Sequence, residues 1–191
     1  MDIVNFLIYL WVTAITPGPN NIMSMNFGTR LGFKKSLPFN LGVFASVLLL
    51  SFIASFLGQA IFTYLPGIKN IIKWIGIAYL LWLAYHTFVA GPINSSENFE
   101  GATFTRGAIL QFINVKVILY CITSMSTFVL PYESNPLVIS LWALLMAILA
   151  FVATCIWSAF GSIFRTLFSD HYRLVNTFMA LLLVYCAWSL Y

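Results

Sequence analysis

Thr16-Pro17-Gly18-Pro19-Asn20-Asn21 lies inside the first long uncharged run of the chain, Ile3 to Thr29. A proline in a helix interior costs about 3 kcal/mol, because it has no N–H and its ring clashes with the carbonyl one turn earlier. Two prolines within three residues therefore predict a broken helix. In hydrocarbon the carbonyls they release, those of Thr13 and Ile15, have no water to bond, so such a break survives only where protein or a water-filled cavity lines it. Thr16 before Pro17 reads as a helix start, with an N-cap hydroxyl and a proline at the first helical position. A half-helix starting there would turn the amides of Gly18, Asn20 and Asn21 toward a cavity, at the positive end of its dipole, which suits a carboxylate. Thr13, Thr16, Asn20 and Ser24 recur at three- and four-residue steps and so share one face. A kink that only shapes packing is the competing reading.

Working outward, the chain is 191 residues long, 61% hydrophobic and 7% charged, which excludes a soluble core-and-shell protein. The other uncharged runs are Ser36 to Ile68, Trp74 to Ser96, Gly107 to Leu130 with Lys116 inside it, Ser134 to Phe164, and Leu174 to Tyr191. A spanning helix needs about 17 to 25 apolar residues, so the sequence predicts six transmembrane helices. The first has no basic residue before it and Arg30, Lys34 and Lys35 after it, the pattern of a retained span and not of a cleaved leader. With the loop after it on the cytoplasmic side, Arg30, Lys34, Lys35, Arg106, Arg165 and Arg173 lie inside, against Lys69 and Lys73 outside; both termini are predicted periplasmic.

The net charge of +4 is scattered over short loops facing lipid headgroups, so a nucleic-acid partner is not expected. Cys121, Cys155 and Cys186 fall inside spans without C-x-x-C spacing, as buried apolar groups, and no metal site or cofactor is expected. The absence of H-E-x-x-H, G-x-S-x-G and P-loop patterns gives enzyme chemistry no support. His86, near the inner end of the third span, reads as an interfacial group.

The polar stretch 91–106 divides a single membrane domain, 1–191, into halves of about 1–90 and 107–191. Three spans per half invert the second half relative to the first, as in many secondary transporters. At about 1.5 Å per residue, Asn20 in the first span and Asn114 and Lys116 in the fourth lie at matching depth, roughly 10 to 14 Å from the cytoplasmic end, where they can face one another. Lys116 is the one charge well inside a span, and burying an ammonium there costs at least about 2.5 kcal/mol, which marks it as functional. Asp2, Glu97, Glu100, Glu133 and Asp170 all map to termini or loops, so Lys116 either binds carbonyls freed by the prolines, loses its proton, or holds a substrate carboxylate; snorkelling to the interface is the bland alternative. Tyr120 and Thr123 continue its face outward. Small residues at four-residue steps, Gly42 and Ser46 in the second span and Ala150, Thr154, Ser158 and Ser162 in the fifth, read as surfaces for close helix packing.

Thr16-Pro-Gly-Pro-Asn-Asn21, Gly76-Ile-Ala-Tyr-Leu-Leu-Trp-Leu-Ala84 and Gln111-Phe-Ile-Asn-Val-Lys-Val-Ile-Leu-Tyr120 resemble the LysE/RhtB family of bacterial amino-acid exporters along nearly the whole chain. Asn114-Val-Lys116, Ser126-Thr-Phe-Val-Leu-Pro131 and Ala180-Leu-Leu-Leu-Val-Tyr-Cys-Ala187 are most similar to its exporters of cysteine and O-acetylserine. The resemblance implies a six-span inner-membrane efflux protein for small amino acids, driven by the proton gradient as an antiporter, with homodimerisation left open. One departure stands out: where much of the family has Asn-Pro-Lys, this chain has Val115. In an unbroken helix Asn114 and Lys116 would lie about 200° apart, so either the helix is distorted without proline, or only Lys116 lines the site and Asn114 ties the helix to a neighbour.

The reading is thus an all-α membrane protein of two inverted three-helix halves, its first helix broken at Pro17 and Pro19. Thr16, Pro17, Gly18, Pro19, Asn20, Asn21, Asn114, Lys116 and Tyr120 are the expected substrate-binding residues, and the partners are a small amino acid and the bilayer. An amino-acid-permeable channel and a non-transporting subunit of a membrane complex are the rival classes.

Overall fold

Two helices occupy the first apolar run, α1 (Ile3–Ile15) and α2 (Pro19–Leu31), parted at Thr16 to Gly18. The helix after the break starts two residues later than Thr16-Pro17 predicts. Gly18 is the N-cap, fully extended at φ −174° and ψ 174°, and Pro19 opens the helix. Each residue before a proline is pushed away from helical geometry, and the second Xaa-Pro pair, whose first member is glycine, sets the start. Thr16 caps nothing; its hydroxyl donates back to the Val12 carbonyl of α1.

This computed structural model describes residues 3–64, positions 74, 77, 78, 81, 82, 84, 85, 87, 88 and 89, residues 101–164 and residues 171–190. The expected third span therefore falls largely outside the described residues, with His86, Lys69 and Lys73, as do the linker residues 91–100. α2 ends at Gly32, whose φ of 84° favours glycine and whose N–H reaches the Gly28 carbonyl (2.9 Å). After it come α3 (Phe33–Tyr64), α4 (Phe104–Ile113) and α5 (Val115–Thr123), which runs on through a π-helical turn at Ser124–Val129, and then α6 (Pro136–Ile163) and α7 (Tyr172–Leu190). Among the described residues two helices, α3 over Phe33–Phe56 and α6, are long and apolar enough to cross a membrane; α4 and Val115–Val129, bent by 72° to each other, reach that length and hydropathy only when taken together.

The bend falls at Asn114, which leaves helical geometry at φ −80° and ψ 97°, so the fourth run is broken without its proline. Asn114 closes α4 through its N–H to the Gln111 carbonyl (3.3 Å) and opens α5 by accepting from Val117 and Ile118 (3.0 Å each). The helix is distorted there without a proline, and Asn114 also ties it to α2 through Asn20 (3.0 Å).

α6 shows what solvates the outside. Leu141, Leu144, Ile148, Val152, Ile156 and Phe160, at helical spacing, are exposed, while Ala143, Ala147, Ala153, Thr154, Ser158 and Gly161 are buried. Large apolar groups outward and small ones inward is the pattern of a helix in lipid, where association depends on close van der Waals approach. α6 and α2 meet at Gly28 and Gly161, where a Cβ would come within 2.0 Å of the Ser158 carbonyl oxygen and 2.1 Å of the Met25 carbonyl oxygen. α3 and α4 cross in the same way at Gly42 and Gly107. The N-terminal half of α1 is anchored by Phe6, which is fully buried and stacks on Phe128 at 4.8 Å.

Candidate functional site

The two breaks face each other across a cavity of about 30 Å³. Its wall is built from α1 and α2 (Thr13, Ala14, Gly18, Pro19, Asn20, Asn21), from α5 and the residue that opens it (Asn114, Lys116, Val117, Tyr120), and from α3 and α6 (Val47, Ala150, Thr154). Asn114 Nδ2 donates to Asn20 Oδ1 (3.0 Å), and Asn20 Nδ2 donates to Gln111 Oε1 (2.7 Å). The chain of amides ends where Gln111 Nε2 bonds the Gly107 carbonyl (2.7 Å).

The carbonyls of Ala14 to Pro17, at the break, have partners. Lys116 Nζ donates to the carbonyls of Thr16 (2.7 Å) and Pro17 (3.4 Å). Asn21 Nδ2 bonds the carbonyls of Ala14 (2.8 Å) and Thr16 (2.9 Å), and the Trp157 indole reaches that of Ile15 (3.0 Å). A break that would be costly in lipid is thereby satisfied inside the protein. Gly18 keeps space for the lysine: a Cβ there would sit 3.2 Å from both Lys116 Cδ and Nζ.

Electrostatically, the starts of α2 and α5 meet at the cavity, each with first-turn amides that have no acceptor within their own helix. Lys116 adds a full positive charge. Among the described residues Glu133 is the one acid, and its carboxylate accepts from the Ser134 and Asn135 amides in the loop before α6. The site is therefore electropositive, with the positive ends of two helix dipoles beside it.

Of the nine expected residues, Gly18, Pro19, Asn20, Asn21, Asn114, Lys116 and Tyr120 line this cavity, while Thr16 and Pro17 contribute carbonyls to Lys116. Asn114 and Lys116 reach one cavity because the helix breaks between their elements. Ser24, grouped with Asn20 by spacing, lies elsewhere, in a buried tie in which Ser24 Oγ donates to Asn40 Oδ1 (2.9 Å) and Asn40 Nδ2 to Ser158 Oγ (3.1 Å). Thr123 does not line the cavity; Tyr120 does, buried to 4% exposure, and its hydroxyl has no hydrogen-bond partner. Sequence reasoning missed Gln111 and Trp157 as supports; the only signal for Gln111 was an amide three residues ahead of Asn114 in an apolar run. Cys121 is buried and Cys155 half-buried, both free thiols, and among the described residues no cluster could hold a metal ion.

A family model described as LysE type translocator matches residues 11–191. The chain belongs to the LysE family. Proteins of this family are transporters, not enzymes. This LysE-family chain is 36% identical over 182 residues to the cysteine/O-acetylserine efflux protein of Klebsiella pneumoniae subsp. pneumoniae, covering 95% of this chain and 93% of the relative. It is 36% identical to the protein so named in Salmonella typhimurium and 34% identical to that in Escherichia coli K12, each over 183 residues with the same coverage. No solved structure matches it.

Proposed function

We propose that this protein is a six-span inner-membrane exporter of small neutral amino acids or their derivatives, of the cysteine and O-acetylserine type, driven by the proton gradient. Its single domain consists of two inverted three-helix halves joined by residues 91–106, with both termini periplasmic. The first span is α1 with α2, broken at Pro17 and Pro19, and the fourth is α4 with α5. The substrate carboxylate is held by Lys116 and by the amides at the starts of α2 and α5. The observation that carries this reading is the convergence of both breaks and the one charged cavity residue on a single space. Half-helix N-termini meeting at mid-membrane recognise anionic substrate groups in transporters. The lack of an acid in the cavity wall opposes a basic substrate, whose second ammonium would have no partner there.

The proton travels either on Lys116 or on the substrate's own amino group. Proteoliposomes loaded with labelled cysteine or O-acetylserine test the proposal. Saturable movement against the substrate gradient, dependent on an imposed pH difference, is the expected result. Flux that neither saturates nor runs uphill would make the protein a channel, and no flux at all would make it a non-transporting subunit.

A further inference from the structure

We propose that the part of the cavity wall supplied by α3 and α6, Val47, Ala150 and Thr154, together with the Tyr120 hydroxyl, is the subsite for the substrate's side chain. It sorts substrates by size and by whether the side chain carries a hydrogen-bond acceptor. The proposal rests on the reading of the cavity as a carboxylate site.

Tyr120 stands one helical turn beyond Lys116, about 6 Å along α5, which is the reach of a small side chain from its carboxylate. Tyr120 is 4% exposed, borders the cavity, and its hydroxyl is unpartnered. A buried hydroxyl without a partner is costly, and a ligand acceptor would satisfy it. The Thr154 hydroxyl, by contrast, spends its proton on the Phe151 carbonyl (2.9 Å). Tyr120 thus brings to this wall a buried hydroxyl for which the described residues supply no acceptor. Val47 and Ala150 give the rest of the wall a short, apolar lining. The chemistry that fits is a short side chain bearing a hydroxyl, thiol or ester oxygen. Ala150 and Thr154 read from sequence as packing residues only; Ala150 is half-buried and both border the cavity.

The test compares initial transport rates at subsaturating alanine, serine, O-acetylserine and leucine in proteoliposomes. All four share a carboxylate and an ammonium, so their ratios read the side-chain subsite alone. Tyr120→Phe is expected to lower serine and O-acetylserine about tenfold relative to alanine, since a donor built for an acceptor is lost. Ala150→Leu is expected to lower O-acetylserine more than about tenfold relative to alanine by filling the wall. Ser124→Ala is the internal control: Ser124 also buries an unpartnered hydroxyl but lies outside the cavity, and its removal should change no ratio. Equal effects of Tyr120→Phe on all four substrates, or unchanged ratios in Ala150→Leu, would overturn the subsite. Failure of the carboxylate reading would show separately, as wild-type protein that carries amino acids and their amides equally well.

Discussion

Asn114 Nδ2 and Asn20 Oδ1 are 3.0 Å apart although 94 residues separate them, and this bond joins the two helix breaks alongside those of Lys116 to the Thr16 and Pro17 carbonyls. It lies among partly buried groups, so removing either amide strands the other. Asn114→Ala should cost about 1 to 3 kcal/mol of stability. The double variant with Asn20→Ala should cost less than the sum of the singles, by roughly 0.5 kcal/mol or more. Thermal unfolding in detergent measures both; strict additivity would mean that the bond does not couple the breaks.

Lys116 closes the first break by bonding the Thr16 and Pro17 carbonyls. Lys116→Met should insert normally, because it removes a charge that costs at least about 2.5 kcal/mol in the membrane. Export should nevertheless fall by about 100-fold or more, the consequence of losing a charge-assisted contact to the carboxylate. Membrane abundance and efflux, measured on the same cells, separate the two effects.

Gly18→Ala places a methyl 3.2 Å from two atoms of the Lys116 side chain. The lysine is flexible and yields, so the fold should survive while the ammonium shifts. A KM raised about three- to tenfold with little change in expression is expected, consistent with an energy of about 1 kcal/mol.

Gly28→Ala and Gly161→Ala meet backbone, at 2.0 and 2.1 Å from carbonyl oxygens of the facing helix. Neither helix can yield locally, so α2 and α6 must part, at a cost of about 1 to 3 kcal/mol or more. Gly101→Ala, with nothing within 4 Å of its added Cβ, should leave the melting temperature unchanged.

The first break was legible because proline carries its rule in its covalent structure, and only its register, at Gly18-Pro19 and not Thr16-Pro17, needed coordinates. The second break was not fully legible. Val115 has an N–H and forbids nothing; the backbone turns at Asn114 amid contacts among Gln111, Asn20 and Asn114 that come from different parts of the chain. Lys116 stood out by its charge, whereas Trp157, bonded to Ile15, carries no such mark, because its one polar atom sits on a large apolar ring in an apolar run. Ser24 shares the α2 face of Asn20 but stands one turn, about 6 Å, further along the helix, beyond the cavity, where its hydroxyl bonds Asn40.

The central claim is that Lys116 and the two half-helix starts hold a carboxylate. Calorimetric binding of O-acetylserine and of its carboxamide to the purified protein, wild type and Lys116→Met, tests it most directly. The account predicts that wild type favours the acid at least about tenfold and that Lys116→Met loses most of that preference. Equal affinity for acid and amide in the wild type, or an undiminished preference in Lys116→Met, would contradict it.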